Sequence, residues 1–159
     1  MNITVVAVGK IKEKYISGGI NEYLKRLKPY ASVEIKEVSD EKAPEGLSKR
    51  EEEQITAKEG QKILRNIKTG QVVVALTIEG SMLGSLQLAK TIAGYGLEGN
   101  SDLVFVIGGS LGLHKSVLDR ADMTLSFGRL TFPHQLMRLM LLEQIYRAFK
   151  IIRGEPYHK

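Results

Sequence analysis

The run "VVVALTI" at residues 72–78 is almost wholly apolar and rich in β-branched side chains. Two other runs have the same character, "ITVVAV" (3–8) and "LVFVIG" (103–108). Apolar runs of this length are typical of strands that are buried on both faces of a parallel sheet. The three runs therefore predict the centre of a mostly parallel sheet with helices on both of its faces.

Two further runs complete the predicted sheet. "VEIKEV" (33–38) alternates between apolar and charged residues, which indicates a half-exposed strand near an edge. "MTLSF" (123–127) predicts a fifth, shorter strand. Helical patterns separate the strands; they cover about 14–27, a segment that starts at Ser48, a segment that starts near Ser85, 113–121, and a long segment that begins at Pro133. The alternation of strand and helix predicts a single α/β domain over residues 1–159.

Local signals mark two of these helix starts. Ser48 and Glu51 have the spacing of a capping box, in which each residue bonds the backbone of the other. Pro133 is expected as a first helical residue, because a missing N–H costs nothing there.

Composition excludes several classes of protein. The chain has no cysteine, which rules out disulfides, thiolate chemistry and cysteine-zinc sites and fits a cytoplasmic location. The three histidines lack the spacing of metal ligands, so no metal site is expected. The first residues predict a strand and not a signal peptide, and no segment is apolar enough for a membrane span. The net charge of +5 permits an acidic partner such as RNA, but suits a mildly basic protein without such a partner equally well.

Glycines cluster in three predicted loops that follow consecutive strands. The loops are "TIEGSMLG" (77–84), "IGGSLG" (107–112) and "SFGRLTFP" (126–133). The carboxyl ends of parallel strands meet at one edge of a sheet, where ligands bind. Three such loops favour a nucleotide-like ligand over three unrelated tight turns. The spacing in 108–112 is not that of a dinucleotide-binding motif, so that interpretation is weak.

The final helix is apolar over an arc of about 200°, twice the width that an ordinary surface helix needs. It is expected to pack on the core and on a second surface. A two-fold copy of the chain is favoured over burial inside one domain. His134, Gln135 and Arg138 fall inside the apolar arc and are predicted to face inward, toward the glycine loops. With Arg129 they would suit an anionic group at the helix start, although capping of a frayed first turn explains His134 as well.

The last residues, "PYHK" (156–159), are harder to interpret. Composition alone predicts a disordered tail. Tyr157 and His158 nevertheless offer a stacking ring and a base, an unusual combination in a loose segment.

Several motifs together resemble the ribosomal RNA large subunit methyltransferase H family of the SPOUT superfamily. They are "LTIEG" (76–80), "VIGGSLG" (106–112), "LTFPHQLMR" (130–138) and "PYHK" (156–159), with the opening "VAVGK" (6–10) and "EYLKRL" (22–27). The likeness covers the whole chain in order and spacing. It implies an S-adenosylmethionine-dependent enzyme that methylates N3 of a pseudouridine in helix 69 of large-subunit rRNA, in assembled ribosomes. It also implies a cytoplasmic homodimer and a trefoil knot in the C-terminal half, against the general rule that connections do not thread loops.

The resemblance also implies roles for individual residues. The cofactor would contact Leu76, Gly108, Phe127, Gly128, Arg129, Leu130, Thr131 and Phe132, with backbone contacts expected at 127–129. His158 is predicted as the general base and Tyr157 as a stacking ring, in a tail that folds over the substrate of its own chain or across the dimer. Arg138 would stabilise a carbonyl oxygen or bind phosphate.

Other interpretations stay open at this point. Basic residues at the start of the chain either hold rRNA or form a solvated face; they are Lys10, Lys12, Lys25, Arg26 and Lys28. The alternatives to a methyltransferase are a non-catalytic ribosome-binding dimer and a nicotinamide-dependent oxidoreductase that uses residues 108–112.

Overall fold

The computed structural model describes all 159 residues, and strands and helices alternate as the sequence predicts. In chain order the elements are β1 (Asn2–Val8), α1 (Lys14–Leu27), β2 (Ser32–Val38), α2 (Lys49–Leu64), β3 (Val72–Met82), α3 (Ser85–Leu97), β4 (Asp102–Ile107), α4 (Lys115–Arg120), β5 (Met123–Ser126) and α5 (His134–Ile152). The predicted capping box is confirmed: Ser48 N donates to Glu51 Oε2 at 2.7 Å, and Glu51 N donates to Ser48 Oγ at 3.2 Å.

The five strands form one parallel sheet in the order β2-β1-β4-β3-β5. The three nearly continuous apolar runs are its central strands, and the alternating run, β2, lies at an edge, as predicted. Helices α1, α3 and α5 pack on one face around the larger apolar cluster, while α2 and α4 cover a smaller, valine-rich cluster on the other face. The trefoil knot stays a prediction. No helix combines the length and the apolar character that crossing a bilayer requires.

Helix α5 lies between α1 and α3, and this position explains its wide apolar arc. The approach to α1 is close: a Cβ added to Gly19 would lie 2.9 Å from the Leu139 side chain. The second apolar surface that the sequence predicts for α5 is thus supplied at least in part by a neighbouring helix of the same chain. The homodimer stays a prediction.

Two predicted boundaries were wrong. The first part of "TIEGSMLG" is strand and not loop, because β3 runs on to Met82. The pairing of β3 with β5 shifts register between Leu76 and Ser81, so the intervening residues bulge out of the ladder. Gly80 lies in this bulge, where a Cβ would lie 2.8 Å from the Leu125 backbone. Pro133 precedes α5 instead of starting it, since its ψ of 130° is extended and not helical.

Candidate active site

A cavity of about 790 Å³ opens at the carboxyl edge of β3, β4 and β5. It is bounded by three segments, 76–79, 107–113 and 125–134, with Leu118 and Met137 completing its wall. The second and third segments contain predicted glycine loops, whereas only residues 77–79 of the predicted loop 77–84 line the cavity and both of its glycines lie outside the lining. The size falls within the range of pockets for small molecules and cofactors.

The structure brings together seven of the eight residues predicted to contact a cofactor. Those that line the cavity are Leu76, Gly108, Phe127, Gly128, Leu130, Thr131 and Phe132. Arg129 is the exception, because it is exposed and does not line the cavity.

Two glycines give the cavity its shape. A Cβ at Gly108 would lie 2.8 Å from the carbonyl oxygen of Gly112, so the turn over 108–112 closes too tightly for any other residue. Gly128 has a φ of 128°, which L side chains rarely adopt. Ser126 fixes this second turn by accepting a hydrogen bond from Gly128 N at 3.2 Å and donating one to Gly128 O at 3.1 Å.

Backbone N–H groups around the cavity are free to bind a ligand. Those of Ser110 and Leu111 in one loop, and of Leu130, Thr131 and Phe132 in the other, donate to no acceptor within the protein. Half of the lining residues are hydrophobic. The cavity thus offers apolar walls for a ring system and backbone donors for its polar edges.

His134 lies at the start of α5 and lines the cavity. Burial lowers the pKa of His134, and the positive charge of Arg138 lowers it further. The ring is therefore neutral at pH 7. A Cβ at Gly9 would lie 3.5 Å from His134 Nε2, which places the end of β1 beside this ring.

Arg138 is turned inward, as predicted, but it does not line the cavity. It is 1% exposed, and its guanidinium donates to Glu37 Oε2 at 2.8 Å and to the carbonyl oxygen of Gly9 at 3.1 Å. Glu37 Oε2 also accepts from Ile11 N at 3.2 Å. The predicted contact of Arg138 with a substrate oxygen or phosphate does not fit this placement, because Nη1 and Nη2 donate to protein acceptors and Nε is buried without a partner away from the cavity.

Gln135, like Arg138, is hydrogen-bonded to the connection between β1 and α1. Its side-chain oxygen accepts a hydrogen bond from Lys12 N at 3.0 Å. The polar residues in the first turns of α5 therefore have two different roles. His134 faces the cavity, while Gln135 and Arg138 hold the connection between β1 and α1.

The end of the chain is ordered against α1 and α5, so the composition-based prediction of a disordered tail was wrong. Tyr157 donates to Glu143 Oε1 at 3.0 Å, lies 3.4 Å from the Tyr23 hydroxyl, and packs edge-on against Tyr146 with ring centres 4.9 Å apart. The guanidinium of Arg147 lies 4.7 Å from the centre of the Tyr157 ring. Burial raises the pKa of Tyr157, and hydrogen bonds with Tyr23 and Glu143 raise it further, so the phenol stays protonated.

His158 is exposed beside Tyr157, and its Nδ1 lies 3.4 Å from Arg147 Nη1. Glu143 and Arg147 follow His134 by nine and thirteen helical residues, a separation of roughly 14 and 20 Å at 1.5 Å per residue. The structure therefore does not bring Tyr157 and His158 to the cavity of their own chain.

Sequence reasoning missed Glu59, which lies under the cavity. Glu59 is on α2, is 4% exposed, and accepts a hydrogen bond from Glu41 N at 3.0 Å. A Cβ at Gly109 would lie 3.2 Å from a Glu59 carboxyl oxygen, so this side chain supports the 108–112 turn from beneath. Burial raises the pKa of Glu59. Nothing in the polar sequence of α2 distinguishes this glutamate from its exposed neighbours.

Comparisons with known proteins agree with this geometry. A family model described as "Predicted SPOUT methyltransferase" matches residues 1–158. A protein named "Ribosomal RNA large subunit methyltransferase H" from Carboxydothermus hydrogenoformans is 61% identical over 159 residues, covering all of both chains. Proteins of the same name from Clostridioides difficile and Alkaliphilus oremlandii are 60% and 58% identical, again over the full length of both chains.

A solved structure shares the fold. It is described as that of a probable methylase family protein from Haemophilus influenzae Rd KW20, and it matches with a TM-score of 0.52 at 13% identity. The match covers 99% of this chain and 70% of that one. At so low an identity it supports the chain topology and no more.

Proposed function

This chain belongs to the SPOUT methyltransferase family, and from that premise we propose that it methylates large-subunit ribosomal RNA in the cytoplasm. The substrate atom is N3 of a pseudouridine in helix 69, in assembled ribosomes. Full-length relatives that are about 60% identical carry the name of an rRNA large subunit methyltransferase, which supports the substrate class. The observation that carries the proposal is the single cavity into which three separate motifs of the resemblance converge.

The family implies a methyl donor of the S-adenosylmethionine type, and the cavity fits such a group. Its volume of about 790 Å³ accommodates a nucleoside with a short side chain. Leu76, Gly108 and residues 127–132 would hold it, through apolar contacts and through the free backbone N–H groups of both loops. When bound, the donor supplies a methyl group activated by a sulfonium.

Residues of this protein must then place the pyrimidine ring and take its proton. N3 of a uracil-type ring is protonated at neutral pH, so a base must act on it or its developing charge must be stabilised. We assign the base to His158 and stacking on the substrate ring to Tyr157, whose raised pKa keeps it a neutral phenol. Holding the ring in line with the methyl group accounts for much of the remaining rate.

We infer a homodimer from the position of the tail. Tyr157 and His158 lie far along α5 from the cavity of their own chain, so we propose that the tail of a second copy completes each site. Exposed apolar side chains support a partner surface near the cavity mouth. Ile78 and Leu130 line the cavity while 46% and 74% exposed, and Met82 and Leu86 follow close in the chain at 60% and 61%. Association would remove this apolar surface from water.

Labelled methyl transfer tests the reaction directly. Ribosomes that lack the modification, incubated with the protein and S-adenosylmethionine carrying a labelled methyl group, should gain label at N3 of the helix 69 pseudouridine. Calorimetry should show binding of S-adenosylmethionine and none of NADH. Label at another nucleotide, or none, would refute the proposed substrate. Light scattering should give twice the 17.7 kDa mass of one chain, and a monomer would refute the shared site.

A further inference from the structure

Residues 10–15, which we call the β1–α1 strap, expose three cations and an aromatic ring in one short stretch. Lys10, Lys12 and Lys14 are exposed, and none of them pairs with a carboxylate. Tyr15, in the first turn of α1, is 70% exposed and contacts no other aromatic ring. Glu13 is the one acid, so three positive charges and one negative leave the strap with a net charge of +2.

Backbone hydrogen bonds and the packing of Ile11 on the core fix the strap, while Lys10, Lys12, Lys14 and Tyr15 stay exposed. Gly9 N donates to Val38 O at 2.8 Å, and the Gly9 carbonyl accepts from buried Arg138 at 3.1 Å. The next two anchors are the bonds of Ile11 N to Glu37 at 3.2 Å and of Lys12 N to Gln135 at 3.0 Å. Two hydrogen bonds to the strap and two to the preceding Gly9 hold this segment in a set arrangement, which reduces the entropy lost when its side chains bind a partner.

The strap begins at the rim of the cavity. Gly9 lies against His134, which lines the cavity. Lys12 N is hydrogen-bonded to Gln135, the next residue along α5. The far end of α1 has the same net charge, but it lies farther from the cavity and one of its cations is paired. Arg26 there is paired with Glu22 at 2.8 Å, and Lys25 lies eleven helical residues from Lys14, roughly 17 Å away.

We propose that the β1–α1 strap is an RNA-binding surface that holds the strand next to the target nucleotide. Unpaired lysines suit backbone phosphates, and an exposed ring suits stacking on an unstacked base, as in single-stranded and loop RNA. The strap therefore recognises the phosphate backbone and one base face near the cavity, while the cavity holds the methyl donor. This inference rests on the proposed function and extends it to the site where the RNA enters.

Binding to unmodified ribosomes across a range of salt concentrations tests the lysines. The double variant Lys10→Ala/Lys12→Ala should bind about tenfold more weakly, and its plot of log affinity against log salt should be shallower by roughly 1.5, since two phosphate contacts are lost. The matched control is Arg65→Ala/Lys68→Ala, which removes the same charge from two exposed, unpaired cations between α2 and β3, at the opposite edge of the sheet from the cavity, and should bind like the wild type. Equal losses in both double variants would show a diffuse charge effect and overturn the proposal.

Substitution of the ring tests stacking separately from charge. Tyr15→Ala should weaken ribosome binding by about tenfold, whereas Tyr15→Phe keeps the ring and should bind normally. Because Tyr15 is exposed, neither change should alter the melting temperature. Equal affinity of the Ala and Phe variants would remove the ring from the proposal.

A crosslink identifies the partner. The chain has no cysteine, so Lys14→Cys provides a single attachment point for a photoactivatable group. Crosslinks should map to large-subunit rRNA, and crosslinks to ribosomal protein alone would overturn the assignment to RNA. In every variant calorimetry should show unchanged binding of S-adenosylmethionine. Wild-type protein that neither binds nor methylates ribosomes would refute the proposed function, whereas normal activity in the strap variants would refute this inference alone.

Discussion

The two ends of α5 break its apolar surface in different ways. Near its start, Arg138 is 1% exposed and bonded to groups that belong to the framework, the Gly9 carbonyl and the Glu37 carboxylate. Toward its end, Arg147 and Glu143 keep 25% and 20% of their side chains exposed and hold the tail. Polar residues at the start of α5 thus make buried hydrogen bonds to the core, whereas those toward its end make solvent-accessible hydrogen bonds to the tail. Reactive side chains that must reach a substrate belong at the second kind of end.

The strongest test of this contrast is His158→Ala. We expect turnover to fall about 100-fold, the lower range for loss of a general base. Stability should not change, because the ring is exposed and has one contact, at 3.4 Å to Arg147. Methyl transfer to unmodified ribosomes, with calorimetry for cofactor affinity, measures both. Lys159→Ala is the neighbouring control. Full activity of His158→Ala would leave the tail a merely structural element.

Arg138→Met tests the opposite end and should act on stability. The substitution keeps an apolar stem but leaves the Gly9 carbonyl and the Glu37 carboxylate without their donor, which should cost about 2 kcal/mol. The expected cost is low for a buried ion pair because Glu37 is partly exposed, and water can replace some of its lost hydrogen bonding. Urea unfolding measures the change. Glu37→Gln, which retains hydrogen-bonding oxygen, should cost less than half as much. An Arg138→Met protein as stable as the wild type would refute the framework role.

The same contrast shows what the sequence can predict. The sheet order was not predicted, but its buried strands, its edge strand and the meeting of the segments that follow β4 and β5 were, because each follows from local hydrophobic pattern and from the geometry of parallel strands. The helical wheel also gave the correct inward direction for Arg138. It could not give the partners, since Glu37 and Gly9 are 101 and 129 residues away in the chain.

Ordering of the tail was beyond sequence reasoning for a related reason. Residues 156–159 have no periodicity, and composition favours disorder in such a segment. The structure holds Tyr157 between residues of α1 and α5 that come together only after both helices pack on the sheet. Glu59 escaped notice likewise, because its burial depends on the position of the 108–112 turn and not on the pattern of α2.

Glu143→Gln tests how strongly the C-terminal part of α5 holds the tail. Glu143 Oε1 accepts from Tyr157 at 3.0 Å and from Arg147 at 2.6 and 3.1 Å, so a neutral amide weakens three hydrogen bonds at once. Because Glu143 and Arg147 are partly exposed, we expect the local free energy of unfolding of the tail to fall by about 1 kcal/mol. Hydrogen exchange should quicken over residues 154–159 and stay unchanged in the core strands. Faster exchange throughout the molecule would show that the attachment belongs to the global framework after all.

His134→Gln should give the smallest effect, and it sharpens the description of the first end. The pKa of His134 is lowered in the folded protein from an ordinary 6.5, because burial and Arg138 both disfavour the cation. Below pH 6.5 the unfolded chain therefore binds a proton more readily than the folded chain, and the folded protein loses stability as pH falls through this window. Urea unfolding at pH 7.5 and pH 5.0 should show a smaller drop in the free energy of unfolding for His134→Gln than for the wild type. His158→Gln is the control at the solvent-exposed end. An equal drop in all three proteins would mean that His134 titrates freely, as a solvated residue at a frayed helix start would, and that the first turn is not part of the buried framework.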